Sequence, residues 1–78
     1  FAVEILRCLA PFDFVFLDGD HAYGSVAGEI EAFRPLVREG GILAGHDYGN
    51  ERWPQVTRAV DDLVPDRQVL NRIWWTRI

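Results

Sequence analysis

Methionine is absent from the 78-residue chain, cysteine occurs once, at Cys8, and histidine twice. A lone cysteine closes no internal disulfide and builds no cysteine-rich metal site, and a reducing, cytoplasmic setting is the default for such a chain. No apolar run approaches the ~18 residues that a membrane span needs; the longest strongly apolar stretch is Phe14 to Leu17. The apolar start is broken by Glu4 and Arg7, unlike a secretory signal. Basic residues form no run, and 8 of them against 12 acidic ones leave a formal charge of −4, which argues against a groove for a nucleic-acid backbone. Repeats, low-complexity segments and linkers are missing too. At 49% hydrophobic, 13% aromatic and 26% charged residues, the composition is nevertheless that of a folded chain. A lone domain of this size buries only about 60% of its unfolded surface, too little for a core, a cofactor pocket and a substrate pocket together. Together with the start at Phe1 in mid-pattern, this leads to the expectation of a piece of a longer protein.

Apolar spacing at Val3, Leu6 and Cys8/Leu9 predicts a short helix over residues 2 to 9, stopped before Pro11. Phe12 to Leu17 is aromatic, β-branched and nearly all apolar, the pattern of a strand covered on both faces. It breaks off in Asp18-Gly19-Asp20-His21. Ser25 is expected to cap a helix whose stripe is Val26, Ile30, Phe33 and Val37, with Pro35 distorting the last turn. Gly40-Gly41 punctuates a second apolar run, Ile42-Leu43-Ala44, which ends in Gly45-His46-Asp47-Tyr48. Two strands joined by a helix make a βαβ unit. Trp53-Pro54 opens a further helix with the stripe Val56, Ala59, Val60 and Leu63, closed by Pro65-Asp66. In the tail, Gln68 to Leu70 and Ile73 to Ile78 read as two strands about the tight turn Asn71-Arg72.

In an open parallel α/β sheet, ligands bind beyond the carboxyl ends of the strands. Asp18, Asp20 and His21 follow one strand and His46 and Asp47 the next, so neighbouring strands ~4.8 Å apart would bring them together. Crowded carboxylates repel one another and call for a compensating cation, and oxygen ligands with one imidazole suit a hard divalent metal. Each residue also has a plain structural reading. Asp18 can cap the next turn with Gly19 at positive φ, His46 can be a surface imidazole and Asp47 a cap. For Tyr23, Tyr48, Trp53, Trp74 and Trp75, packing is the favoured role.

The run Phe12-Asp13-Phe14-Val15-Phe16-Leu17-Asp18-Gly19-Asp20-His21-Ala22-Tyr23, with Glu29, Pro35-Leu36-Val37, Gly40-Gly41-Ile42-Leu43-Ala44-Gly45-His46-Asp47-Tyr48, Val56 and Ala59-Val60, resembles the C-terminal half of class I S-adenosylmethionine-dependent methyltransferases. The nearest branch is the one similar to cation-dependent O-methyltransferases. The resemblance covers residues 12 to 63 and extends to the tail in pattern only. It implies an α/β fold, the C-terminal half of a Rossmann-like sheet with strands in the order 4-5-7-6 and the last strand antiparallel. Residues 1–78 would then be a partial domain without the N-terminal glycine-rich cofactor loop; indeed no G-x-G-x-x-G occurs among the seven glycines.

By the same resemblance, Asp18, His46 and Asp47 hold a divalent cation, Mg2+ or another, with His46 standing where Asp is commoner. The resemblance also implies that Asp18, Gly19 and Asp20 would contact S-adenosylmethionine and that His21 or Asp20 would take the proton of the acceptor hydroxyl; an imidazole with a pKa near ~6.5 can accept one at neutral pH. The implied reaction is O-methylation of a small-molecule or sugar hydroxyl. The partner is a small-molecule acceptor, with neither nucleic acid nor membrane, and a homo-oligomer is admissible. Two other readings stay open at this point: a fragment of a metal-dependent phosphoesterase, to which Asp-x-Asp-His and Gly-His-Asp are also suited, and a non-catalytic module that only packs against a partner.

Overall fold

A computed structural model describes residues 10–78, so the helix expected over residues 2 to 9 lies outside the described residues. The elements in chain order are β1 (Phe12–Leu17), α1 (Tyr23–Phe33), a 3-10 turn (Arg34–Leu36), β2 (Val37–Gly45), α2 (Pro54–Leu63), β3 (Gln68–Leu70) and β4 (Ile73–Arg77). The sheet order is β1-β2-β4-β3. The α1 crossover returns the chain beside β1, which makes β1 and β2 parallel neighbours, while β4 lies antiparallel to both β2 and β3. This is the expected 4-5-7-6 arrangement, with the 73 to 77 strand antiparallel beside β2.

Both helices pack on one face of the sheet. Val26, Ile30 and Phe33 of α1 and Val56, Ala59 and Val60 of α2 are buried there against Leu43 of β2 and Trp74 of β4. Full burial of each Val, Leu, Ile or Phe among them contributes about 1.5–3 kcal/mol, and alternation along the strands places Val15, Leu17, Leu43 and Trp74 on that side. Leu63 is only half-buried, and Val64, just past the helix, is the residue fully enclosed. The described residues cover β1 on this face only. Among the described residues nothing covers Phe14 and Phe16, which are 58% and 43% exposed.

Three local features depart from the pattern reading. Helix α1 begins at Tyr23, with Ala22 rather than Ser25 at its N-cap. Its first N–H, which a capping side chain normally serves, donates from Tyr23 to Gln55 Oε1 of α2 at 3.0 Å. Gly40-Gly41 interrupts nothing, since β2 runs straight through it from Val37. A bulge takes up the extra residues there, with Phe12 opposite Val37 but Phe14 opposite Ile42. Gly40 has φ 85°, and a Cβ on Gly41 would sit 2.7 Å from the Asp13 carbonyl oxygen. Pro35 acts as expected, ending α1 in the 3-10 turn. The turn between β3 and β4 has positive φ at both Asn71 (50°) and Arg72 (67°), the conformation of a tight hairpin of the I′ kind. No helix among the described residues is long and apolar enough to cross a membrane.

Candidate active site

Leu17 pairs with Gly45 at the carboxyl ends of the two parallel strands, so the chain leaves the sheet at the same height on both. Asp18 and His46 are the next residues. Consequently Asp18, His46 and Asp47 each offer one ligand atom within 4.8 Å of one another. A cavity of about 20 Å³ opens among Asp18, Asp20, His21, Glu29, His46 and Asp47, room for one water-sized occupant. Two carboxylates and an imidazole are a mixed oxygen and nitrogen donor set able to hold a divalent cation.

Asp47 organises the cluster. Its backbone has φ 69°, a left-handed conformation that non-glycine residues adopt mainly as Asp or Asn and that collects at functional turns. The sequence suggested Gly19 for positive φ; the structure uses Asp47, and Gly40 and Gly49 are the glycines that take it. The Asp47 side chain is 15% exposed. Partial burial pushes its carboxyl up, but hydrogen bonds from His21 and Asn50 and the positive potential of His46 and His21 outweigh this and hold it below the usual carboxylate range. Ionised, Asp47 can only accept. His21 Nε2, 2.8 Å from Asp47 Oδ2, is therefore the donor of this bond, and in the tautomer that carries one ring proton the lone pair lies on Nδ1. His46 Nδ1 stands 3.3 Å from Asp47 Oδ1.

Asp20 is engaged within its own turn. One carboxylate oxygen accepts the His21 backbone N–H at 2.7 Å and the other accepts the Ser25 hydroxyl at 3.0 Å. The His21 N–H, followed by Ser25, lowers the pKa of this group. Glu29 reaches the same turn from α1, and a Cβ on Gly19 would stand 2.8 Å from its Oε1. Burial, then the charge of Asp20, raises the Glu29 carboxyl above its ordinary value.

The structure thus gathers all six residues singled out from the sequence, Asp18, Gly19, Asp20, His21, His46 and Asp47, around one cavity or at its rim. It adds residues that pattern reading left without a role at the site. Trp53 is not in the core: its indole stacks on the His21 imidazole with centroids 4.0 Å apart and planes at 10°. The one signal for it was an aromatic residue next to the proline that opens α2. Trp74, by contrast, packs in the core at 1% exposure. Tyr48 and Tyr23 tie the layer together through α2, donating to Asp61 at 2.6 Å and to Asp62 at 2.8 Å. The Tyr48 backbone N–H donates to the Arg72 carbonyl at 3.0 Å, which fastens the loop after Asp47 to the β3–β4 turn.

Residues 2–48 match a protein family described as a methyltransferase domain. An uncharacterized protein of Acanthamoeba polyphaga mimivirus is 40% identical over 57 residues, which are 72% of this chain and 26% of the viral protein. Among solved structures, the TDP-rhamnose 3'-O-methyltransferase of calicheamicin biosynthesis superposes with a TM-score of 0.76 at 19% identity, over 97% of this chain and 36% of that one. The MycE methyltransferase of the mycinamycin pathway, solved in complex with Mg, SAH and mycinamycin VI, superposes with a TM-score of 0.74 at 21% identity, over 96% of this chain and 27% of that one. The chain therefore spans about a quarter to a third of the length of these proteins. Sequence match and sheet topology agree, and the chain belongs to the methyltransferase-domain family.

Proposed function

We propose that residues 1–78 are the C-terminal half of an S-adenosylmethionine-dependent methyltransferase domain that methylates a hydroxyl of a small molecule or sugar with the help of a divalent cation. The observation that carries this reading is the convergence of Asp18, His46 and Asp47 within 4.8 Å at the ends of two adjacent parallel strands, with His21 hydrogen-bonded to Asp47. The sugar methyltransferase of similar fold and the Mg- and SAH-bound neighbour support it.

Asp18, His46 and Asp47 would hold the cation, and the turn at Asp18, Gly19 and Asp20 would face the methyl donor. When bound, S-adenosylmethionine supplies the methyl group on a sulfonium and the cation polarises the acceptor hydroxyl. His21 takes the hydroxyl proton on Nδ1, the nitrogen left free by the bond from Nε2 to Asp47. Asp47 keeps the ring oriented and stabilises the imidazolium that results. Asp20 is the lesser candidate for this role, because both of its oxygens already accept hydrogen bonds.

The test is methyl transfer from labelled S-adenosylmethionine to sugar and small-molecule hydroxyls by the full-length protein, with and without chelator. Activity should require the cation, and Asp18→Ala should abolish that requirement along with most turnover. Equal rates with and without chelator would remove the metal from the account, and absence of transfer to any hydroxyl would remove the reaction.

A further inference from the structure

His21 is held from three directions. Its backbone N–H is bound to Asp20 and its Nε2 to Asp47, and its ring face lies on Trp53. A hydrogen bond to one ring nitrogen of a side chain tethered at Cβ fixes the direction of that nitrogen but still tolerates tilt of the ring plane. A parallel stack fixes the plane. Only the two together determine where Nδ1 points.

Trp53 is built as a platform. Its backbone N–H donates to the Asn50 carbonyl at 2.9 Å, and its own carbonyl accepts from Val56 at 3.1 Å. Pro54, at the first position of α2, stiffens the next bond. Yet 36% of the residue is exposed, so core burial does not account for an indole at this place. It forms a wall of an open groove of about 410 Å³ between the Asp20–Ala22 turn and the Arg52–Gln55 segment, and His21 lines the same groove.

We propose that Trp53 is the positioning residue of the proton acceptor: it fixes the plane of the His21 ring so that Nδ1 meets the acceptor hydroxyl in this groove. This inference rests on the reading of His21 as the base.

The experiment uses the full-length protein with Trp53→Leu, Trp53→Phe and His21→Ala, each first shown to be folded by circular dichroism. In the wild type, the ring protons of His21 should resonate upfield because the indole lies over them. Trp53→Leu should abolish that displacement and lower kcat on the order of 10–100-fold, the scale of a misoriented catalytic group, while leaving the KM for the methyl donor unchanged. Trp53→Phe, which keeps an aromatic face, should retain most of the displacement and most of kcat. Loss of the ring-proton displacement in Trp53→Leu with wild-type kcat would overturn the proposal, as would His21 ring protons with no displacement in the wild type. Wild-type turnover in His21→Ala would instead overturn the base reading beneath it, so the two failures are told apart.

Discussion

Placing a single methyl group on Gly45 should injure the core, although nothing in the backbone forbids it, since Gly45 is not among the positive-φ glycines. Gly45 faces Trp74 across the β2–β4 ladder. A Cβ there would stand 2.6 Å from Cε2 and 2.7 Å from Cζ2 of the indole, and closer still to Nε1. Trp74 is 1% exposed and hemmed in by the helices, so the ring cannot swing away. Overpacking of this kind costs about 1–3 kcal/mol. Against it stands the gain of about 0.4–1 kcal/mol from a stiffer unfolded chain, which leaves a net loss of about 1–2 kcal/mol. Urea unfolding of the full-length protein followed by circular dichroism measures it, with an unchanged m-value showing that stability alone has moved. Trp74→Phe in the same background supplies the internal control. The smaller ring makes room for the methyl group, so the double variant should lose less than the two single losses combined, by a coupling of about 0.5–3 kcal/mol. Gly45→Ala as stable as the wild type, or strict additivity with Trp74→Phe, would refute the reasoning.

Asp66 accepts the hydroxyl of the buried Thr76 at 2.7 Å and lies 3.6 Å from Arg34, and the Thr76 bond leads the causes that lower its pKa. Its folded pKa lies below its unfolded one, so the stability it adds is full above the unfolded value near ~3.9 and is lost as pH falls through the folded value. Asp66→Asn, which keeps an acceptor for Thr76, should therefore flatten the acid limb of the stability profile and cost less than about 1 kcal/mol at pH 7; an unchanged acid limb in pH-dependent urea titrations would count against this. Arg72→Gly should stabilise the β3–β4 turn by about 0.5–1 kcal/mol, since relief of the left-handed conformation, about 1–2 kcal/mol, exceeds the flexibility that glycine adds to the unfolded chain; a lowered urea midpoint would contradict it. Expressed alone, the 78-residue chain should bind S-adenosylmethionine negligibly and self-associate through β1, which among the described residues pairs only with β2 and leaves Phe14 and Phe16 exposed. Titration calorimetry and sedimentation check this, and micromolar cofactor affinity in a monomer would show the cofactor site to be misplaced.

The βαβ core was legible because burial imposes a period on the sequence. The stripe of Val26, Ile30 and Phe33 displays the helical period, while Phe12 to Leu17 and Ile42 to Ala44 are short apolar runs of strand length. The position of the polar cluster was legible for a related reason: apolar strands that stop abruptly in acids and histidines mark the sheet end where ligands bind. What escaped the pattern depends on partners remote in the chain. Helix α1 starts ahead of Ser25 because Gln55, 32 residues beyond Tyr23, serves its first N–H. The role of Trp53 is set by His21, and an aromatic side chain before a proline looks the same whether it fills a core or covers an imidazole. Gly45 likewise resembles a turn residue in sequence, whereas its lack of a side chain serves Trp74.

The pairing of Leu17 with Gly45 makes the candidate site a gauge of how the strands are registered. A slip of β1 by one residue would preserve most of the ladder's hydrogen bonds but turn each of its side chains to the other face and move Asp18 away from His46 and Asp47. Circular dichroism would see almost no change in such a misaligned sheet. If Asp18, His46 and Asp47 hold a cation as proposed, divalent-cation affinity would fall steeply, and a metal titration would count the correctly threaded molecules in a refolded sample, which spectroscopy of the backbone cannot do.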